Sequence, residues 1–251
     1  MAKSKTVKSP CPCSKESMDI RVPTGIPGLD EMIEGGFKRG STILVVGGCG
    51  SGKSTFSMQY LYNGALAGDP GVYVSFEENP VKMKSNFSRF GWDLDGLEKK
   101  GKLRIIKIEP REIVNVLKED YGTIVDAIED IGAKRIVIDS ISTFELMLKD
   151  DYDRRDKELN LFEWLCKHDC TSLIVSESEQ KPSEHSLTGL VAFLVDGVVV
   201  LYNVTEGNTR QNAIEILKLR GTKHLKKIVP FTIENGIEVY PNEQMFEGGM
   251  K

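Results

Sequence analysis

Two hydrophobic rhythms alternate along the first two thirds of the chain. Short apolar runs at Thr42–Val46, Val72–Phe76, Leu103–Ile108, Arg135–Asp139 and Thr171–Ser176 read as strands buried on both faces. Longer amphipathic stretches separate them and predict helices: Lys53 to about Ala67, Pro80 to about Phe90, Thr123–Ile131 closed by Gly132, and Asp156–Lys167. The last carries Leu159, Phe162 and Leu165 on one face, and Pro80 suits a first helical turn. Residues 109–120 fit neither rhythm and read as a loop with a helical turn.

The final third changes character. Val195–Val204, Asn212–Arg220, Ile228–Ile233 and Ile237–Tyr240 follow one another as strands without helices between them, and Glu234-Asn235-Gly236 joins the last two as a hairpin. A period of two along Asn212–Arg220 sets Ile216, Lys218 and Arg220 on one side. The pattern predicts an α/β fold: a mainly parallel sheet with helices on both faces and a C-terminal antiparallel extension. No internal repeat is visible, so one domain is expected over residues 19–241, with a short tail at 242–251. Residues 1–18, rich in Lys, Ser, Pro and Cys and without apolar periodicity, read as a disordered N-terminal tail. Thr24–Asp30 is turn-rich, and Glu31–Glu34 is a short helical stretch stopped by Gly35-Gly36.

Composition narrows the class. The 251 residues are 40% hydrophobic and 28% charged, as in an ordinary globular protein, and a net charge of −4 gives no global pull toward nucleic acid or anionic membrane. No secretory core is present, and the longest apolar run, Leu190–Tyr202, is interrupted by Asp196 and too short to span a bilayer. A cytoplasmic protein with no membrane association is expected. The five cysteines suggest no disulfide framework. Cys11 and Cys13 lie in the tail, and Cys166 and Cys170 flank His168 without a C-x₂-C pair, so free thiols are expected before a zinc site.

One stretch carries specific chemistry. Gly47-Gly48-Cys49-Gly50-Ser51-Gly52-Lys53-Ser54-Thr55 matches G-x-x-x-x-G-K-[ST] between a predicted strand and a predicted helix. Glycines let the backbone wrap closely around phosphates, and the helix N-terminus adds the positive end of its dipole. Lys53 is expected to reach the β- and γ-phosphates of ATP, and the Ser54 hydroxyl to hold Mg²⁺. The thiol of Cys49, beside the phosphates, is placed for redox sensitivity.

Ligands of open α/β sheets bind beyond the C-terminal strand ends, so what each strand delivers there matters. Val72–Phe76 delivers Glu77 and Glu78, Arg135–Ile138 delivers Asp139, and Thr171–Val175 delivers Ser176 and Glu177. Asp139 ends an apolar run in the Walker B manner and suits Mg²⁺. A neighbouring carboxylate can orient and deprotonate water, with Glu77 the first choice of base and Glu78 the second. Lys218 and Arg220, at a strand end before Gly221-Thr222-Lys223-His224, could reach a phosphate, and such cations often come from outside the nucleotide's own subunit.

Taken in order, Thr24–Asp30, the phosphate loop, Phe76-Glu77-Glu78, Val137–Ser140, Asp196–Leu201 and Lys218–His224 resemble a single KaiC-type domain of the RecA superfamily, akin to archaeal RadA-like ATPases, over residues 20–241. The resemblance implies a RecA-like core that binds ATP between subunits, commonly in hexameric rings. It implies catalytic glutamates at Glu77 and Glu78, with Lys218 and Arg220 reaching the γ-phosphate held by the adjacent subunit. The clock protein of this family has two such domains and this chain one, so clock function does not carry over. Its autophosphorylated Ser-Thr pair corresponds to Ala192 and Phe193 here, which removes the expectation of autokinase activity at that site.

A slow ATPase whose nucleotide state orders a homo-oligomer, or governs a regulatory partner, is the leading expectation. A non-hydrolysing nucleotide-gated adaptor is an alternative, against which the Glu77–Glu78 pair speaks. A recombinase-like DNA-binding ATPase is another. The polar stretch Glu177–Leu187, where DNA-contacting loops of such proteins lie, holds three glutamates and the single cation Lys181, so DNA is disfavoured.

Overall fold

In the central strands successive side chains turn to opposite faces, and both faces are apolar. Ile43 and Val45 point to one core with Tyr73, Val137, Leu173, Val175, Val199 and Leu201. Leu44 and Val46 point to the other with Val72, Val74, Ile136, Ile138, Ile174, Val198 and Val200. Each such side chain contributes roughly 1.5–3 kcal/mol when removed from water, so the sheet is fixed between two helical layers.

The structure, a computed structural model, describes residues 20–109, 112, 122–146, 150–178, 190–206 and 208–244. The expected tail 1–18 with Cys11 and Cys13, almost all of 109–120, the polar stretch beyond 178 and most of 242–251 lie outside the described residues.

A two-stranded ribbon, β1 (Arg21–Val22) with β2 (Phe37–Lys38), brackets α1 (Leu29–Met32). Then follow β3 (Thr42–Gly47), α2 (Lys53–Ala67), β4 (Gly71–Ser75), α3 (Pro80–Ser88), α4 (Leu94–Lys99) and β5 (Leu103–Lys107). Next come α5 (Gly122–Ile131), β6 (Arg135–Asp139), α6 (Ile141–Leu146), α7 (Asp151–Lys167) and β7 (Thr171–Glu177). The chain continues through α8 (Leu190–Leu194), β8 (Gly197–Glu206), β9 (Thr209–Leu219), β10 (Val229–Ile233) and β11 (Ile237–Val239). Among the described residues the main sheet runs β11-β10-β9-β8-β3-β7-β6-β4-β5. From β8 to β5 all pairs are parallel, and β9, β10 and β11 add antiparallel strands, as the run of strands without helices predicted. The β10–β11 hairpin closes with Glu234 N–H donating to Gly236 O at 3.1 Å.

Local chemistry sets the helix starts. Asn79 accepts from Val81 N–H at 2.9 Å ahead of Pro80, and Asp93 accepts from Gly96 N–H at 2.8 Å. The short helices α4, α6 and α8 are too brief to show a period in sequence. Two expectations fail. In α7 (Asp151–Lys167) Phe162 and Leu165 are buried with Leu161 and Trp164, but Leu159, expected on the same face, lies off that stripe at 38% exposure.

The second failure concerns β9. Val198 pairs with Lys218 whereas Val199 pairs with Ile216, so Leu217 is an extra residue, a β-bulge. The insertion flips the phase. Ile216 and Leu219 belong to the core under α2, while Lys218 lies opposite Val198 of the other face. Ile216 therefore does not share a side with Lys218 and Arg220.

Candidate functional site

The phosphate loop leaves β3 at Gly47 and enters α2 at Lys53. A Cβ on Gly47 would lie 2.4 Å from Ser51 Oγ and 2.5 Å from the Leu201 carbonyl oxygen, so no larger residue fits. Gly52 has φ +90, and a Cβ there would also sit 2.8 Å from Ile233 Cδ1. The loop thus has the tight path that exposes backbone N–H groups, and the first amides of α2 have no preceding helical carbonyls to satisfy them. Lys53 Nζ donates to Gly47 O at 2.9 Å and Gly48 O at 3.0 Å, which folds the ammonium over the loop. Asn203 on β8 donates to Gly50 O at 3.1 Å and in turn accepts from Arg210 at 3.2 Å. Cys49 is exposed, Ser51 is buried, and Ser54 and Thr55 are half-buried in the first turn of α2.

Asp139 ends β6, two strands from β3, yet its side chain meets the loop. Ser54 Oγ donates to Asp139 Oδ2 at 2.9 Å, and the buried Tyr73 hydroxyl donates to the same oxygen. Burial pushes the Asp139 carboxyl above its ordinary range, while hydrogen bonds from Tyr73 and Ser54 and the charge of Lys53 pull the other way. The Tyr73 phenol is pushed well up by its own burial and by Asp139. The peptide bond from Asp139 to Ser140 is cis.

Glu77 stands exposed beyond β4 and accepts a hydrogen bond from Thr143 Oγ1 of α6. Glu78 is engaged differently: its N–H donates to Ser75 Oγ at 3.0 Å, and its carboxylate accepts from Asn86 of α3 at 2.8 Å. Glu177 pairs with Gly47 beside the loop, and its N–H donates to Ser142 Oγ at 2.9 Å. Loop, Ser54, Asp139 and Glu77 therefore gather at one end of the sheet, with Glu177 beside the loop. Ser176 lies one register step behind it, opposite Val46.

Lys218 and Arg220 are elsewhere. Leu219 is level with Gly197 and so with Ile43, about 13 Å back along β3 from Gly47 at the usual strand rise. Lys218 Nζ donates to Ala192 O at 2.9 Å and Val195 O at 2.7 Å, and Arg220 donates to Phe193 O at 2.8 Å. Burial lowers the pKa of the Lys218 ammonium, the charge of Arg220 adds to this, and Asp196 opposes it.

Three contributors escaped the sequence reading. Tyr73 was one apolar residue among several in a strand, Thr143 sits in no motif, and Asn203 is distant in sequence from the loop it ties. For a metal, the fit is favourable: Ser54 and Asp139 present adjacent hard oxygen donors, which suits Mg²⁺, a cation that keeps several waters and takes few protein ligands. No cluster of three or more His, Cys, Asp or Glu able to hold a metal occurs among the described residues. His168 Nδ1 lies 2.9 Å from Trp164 O, and the buried Cys170 donates to Ala133 O at 3.4 Å.

A strand–glycine loop–helix cradle with Asp139 brought to its serine, on a largely parallel sheet extended by antiparallel strands, defines a RecA-like P-loop nucleotide-binding ATPase. The chain belongs to the KaiC family of ATPases: the family described as "ATPase: KaiC" matches residues 22–244. It is 36% identical over 242 residues to the circadian clock oscillator protein KaiC of Thermostichus vulcanus, covering 92% of this chain and 46% of that protein. The chain thus spans about half the length of the clock proteins it matches. It is 38% identical over 238 residues to a UPF0273 protein of Aeropyrum pernix, covering 89% of this chain and 94% of that one. Among solved structures it resembles a KaiC-like protein of Pyrococcus horikoshii, with a TM-score of 0.78 and 38% identity over 88% of this chain and 99% of that one. Among the described residues no helix is long and apolar enough to cross a membrane.

Proposed function

We propose that the protein is a slow, cytoplasmic Mg-ATPase whose domain, residues 19–241, completes its active site only against another copy of itself. The observation that carries this reading is the separation within one chain: the cradle lies at one end of the sheet and Lys218 and Arg220 at the other. Their side chains are too short to bridge that gap, so they serve a neighbour's nucleotide. A closed ring, hexameric as in the family, satisfies every site at once, and the nucleotide state then governs assembly or a regulatory partner.

The chemistry follows from charge. Lys53 exchanges its two carbonyl partners for β- and γ-phosphate oxygens, and the loop amides hold the remaining charge. Glu77 takes a proton from water as that water's oxygen bonds to the γ-phosphorus and the bond to the β-phosphate oxygen breaks. Lys218 and Arg220 of the adjacent copy stabilise the charge on the transferring group. Magnesium, when bound through Ser54 and Asp139, would neutralise phosphate charge. Ala192 and Phe193 offer no hydroxyl, so that position accepts no phosphate.

Subunit mixing tests the proposal. Lys53→Ala and the double variant Lys218→Ala/Arg220→Ala are each expected to be inactive alone, the first through lost nucleotide binding. Mixed, they should regain hydrolysis, because a Lys218/Arg220 variant cradle can meet intact cations from a Lys53→Ala neighbour. Absence of recovery in mixed assemblies confirmed by native mass would refute the shared site.

A further inference from the structure

We propose that Thr143 is a positioning residue for hydrolysis: its hydroxyl fixes the Glu77 carboxylate in the orientation from which it takes the proton of the attacking water. The inference rests on the assignment of Glu77 as base. Glu77 is exposed at a strand end, and a free glutamate there samples many rotamers. A base must lie within hydrogen-bond reach of its proton to be effective. Something must therefore hold it.

Thr143 is suited to do so. Its hydroxyl donates to Glu77 Oε1, 66 residues away in sequence, and leaves Oε2 for a water. It is β-branched and so stiff at χ1, and it sits in the first turn of α6, which begins two residues after Asp139. The buried Ser140 hydroxyl lies 3.5 Å from Thr143 Oγ1. Ser142, the next residue back, accepts from the Glu177 N–H beside the loop, which anchors the same turn to β7. One short helix start thus ties the Walker B end of β6, the base and the strand beside the phosphate loop into a single frame.

A double-mutant cycle tests this. Thr143→Val keeps the side-chain shape and removes the donor, and Thr143→Ser keeps the donor. Thr143→Val is expected to lower kcat about tenfold, a part of the ~10²–10⁴-fold that a positioned general base supplies. KM for ATP and the affinity for a fluorescent ATP analogue should stay unchanged, and Thr143→Ser should retain most of the turnover. In a Glu77→Gln background Thr143→Val should add nothing. If thermal unfolding shows that the valine variant is misfolded, Thr143→Ala takes its place in the cycle. Unchanged kcat in the donor-less variant, with Glu77→Gln impaired, would overturn the inference and leave Glu77 as base. Turnover unaffected by Glu77→Gln would remove both. An equal loss in the Glu77→Gln background would also overturn it, as would phosphate found on Thr143 by mass after incubation with ATP, which would make the residue an acceptor.

Discussion

Replacing Gly64 by alanine opposes two general effects of known size. Within an α-helix alanine is favoured over glycine by about 1 kcal/mol, so propensity alone predicts stabilisation. Gly64, however, faces the buried Arg135 across the helix–sheet contact, and a Cβ would lie 2.3 Å from its Nε and 2.5 Å from its Cδ. Arg135 has little room to yield. Its guanidinium donates to Asp69 at 2.7 and 3.2 Å and to Tyr60 O at 3.1 Å, and its Cζ stands 4.6 Å over the Tyr60 ring. Displacing it breaks a largely buried pair, which costs about 3–5 kcal/mol; with the Asp69 side chain 39% exposed, the lower end applies. The net is a loss of about 2 kcal/mol, or roughly 4–8 °C in Tm for a chain of this size. Thermal unfolding followed by circular dichroism reads it directly. In an Arg135→Met background the flexible thioether can bend away, and Gly64→Ala should become neutral or stabilising by up to about 1 kcal/mol. A Tm that rises on Gly64→Ala in the unaltered background would refute the steric argument.

Tyr73→Phe should lower stability by about 2 kcal/mol, because Asp139 is largely buried and loses a donor to its charged form; an unchanged Tm would show that the phenol does not support the carboxylate. Among the cysteines of the described residues, alkylation near pH 8, mapped by peptide mass, should modify exposed Cys49 first and be slowed there by Mg-ATP, and protection absent at saturating nucleotide would place the phosphates elsewhere. Cys170 should stay unmodified, since burial pushes its thiol up to about 11. Being protonated longer in the folded state, that thiol contributes stability that is complete below pH 9 and is lost as pH rises from 9 toward 11, so Cys170→Ala should show a shallower alkaline decline in Tm.

The parts legible in sequence were contiguous or periodic. The phosphate loop is nine adjacent residues, and Asp139 and Glu77 each follow an apolar strand, so their place at one end of the sheet followed from topology alone. Tyr73 was illegible because its hydroxyl meets a carboxylate two-thirds of a hundred residues on, and the apolar strand around it gave no reason to single it out. Thr143 lies among small hydroxyl residues whose partner depends on how α6 leaves β6. The bulge at Leu217 defeated a simple alternation, since one inserted residue reverses every side chain beyond it while leaving the composition unremarkable. Arg135 opened a strand on paper and proved to be a buried cation held by Asp69, a contact set by the turn between α2 and β4.

The placement of Lys218 and Arg220 opposite the cradle has a consequence for counting. On the proposed reading, a linear row of copies ends in one cradle that no cations reach and one pair of cations that reach no cradle. A closed circle has neither. Specific activity then measures closure: dilution that opens circles should lower turnover per copy even where every cradle stays filled. A single cation-less subunit within a circle should silence one neighbour and leave the remaining sites at work.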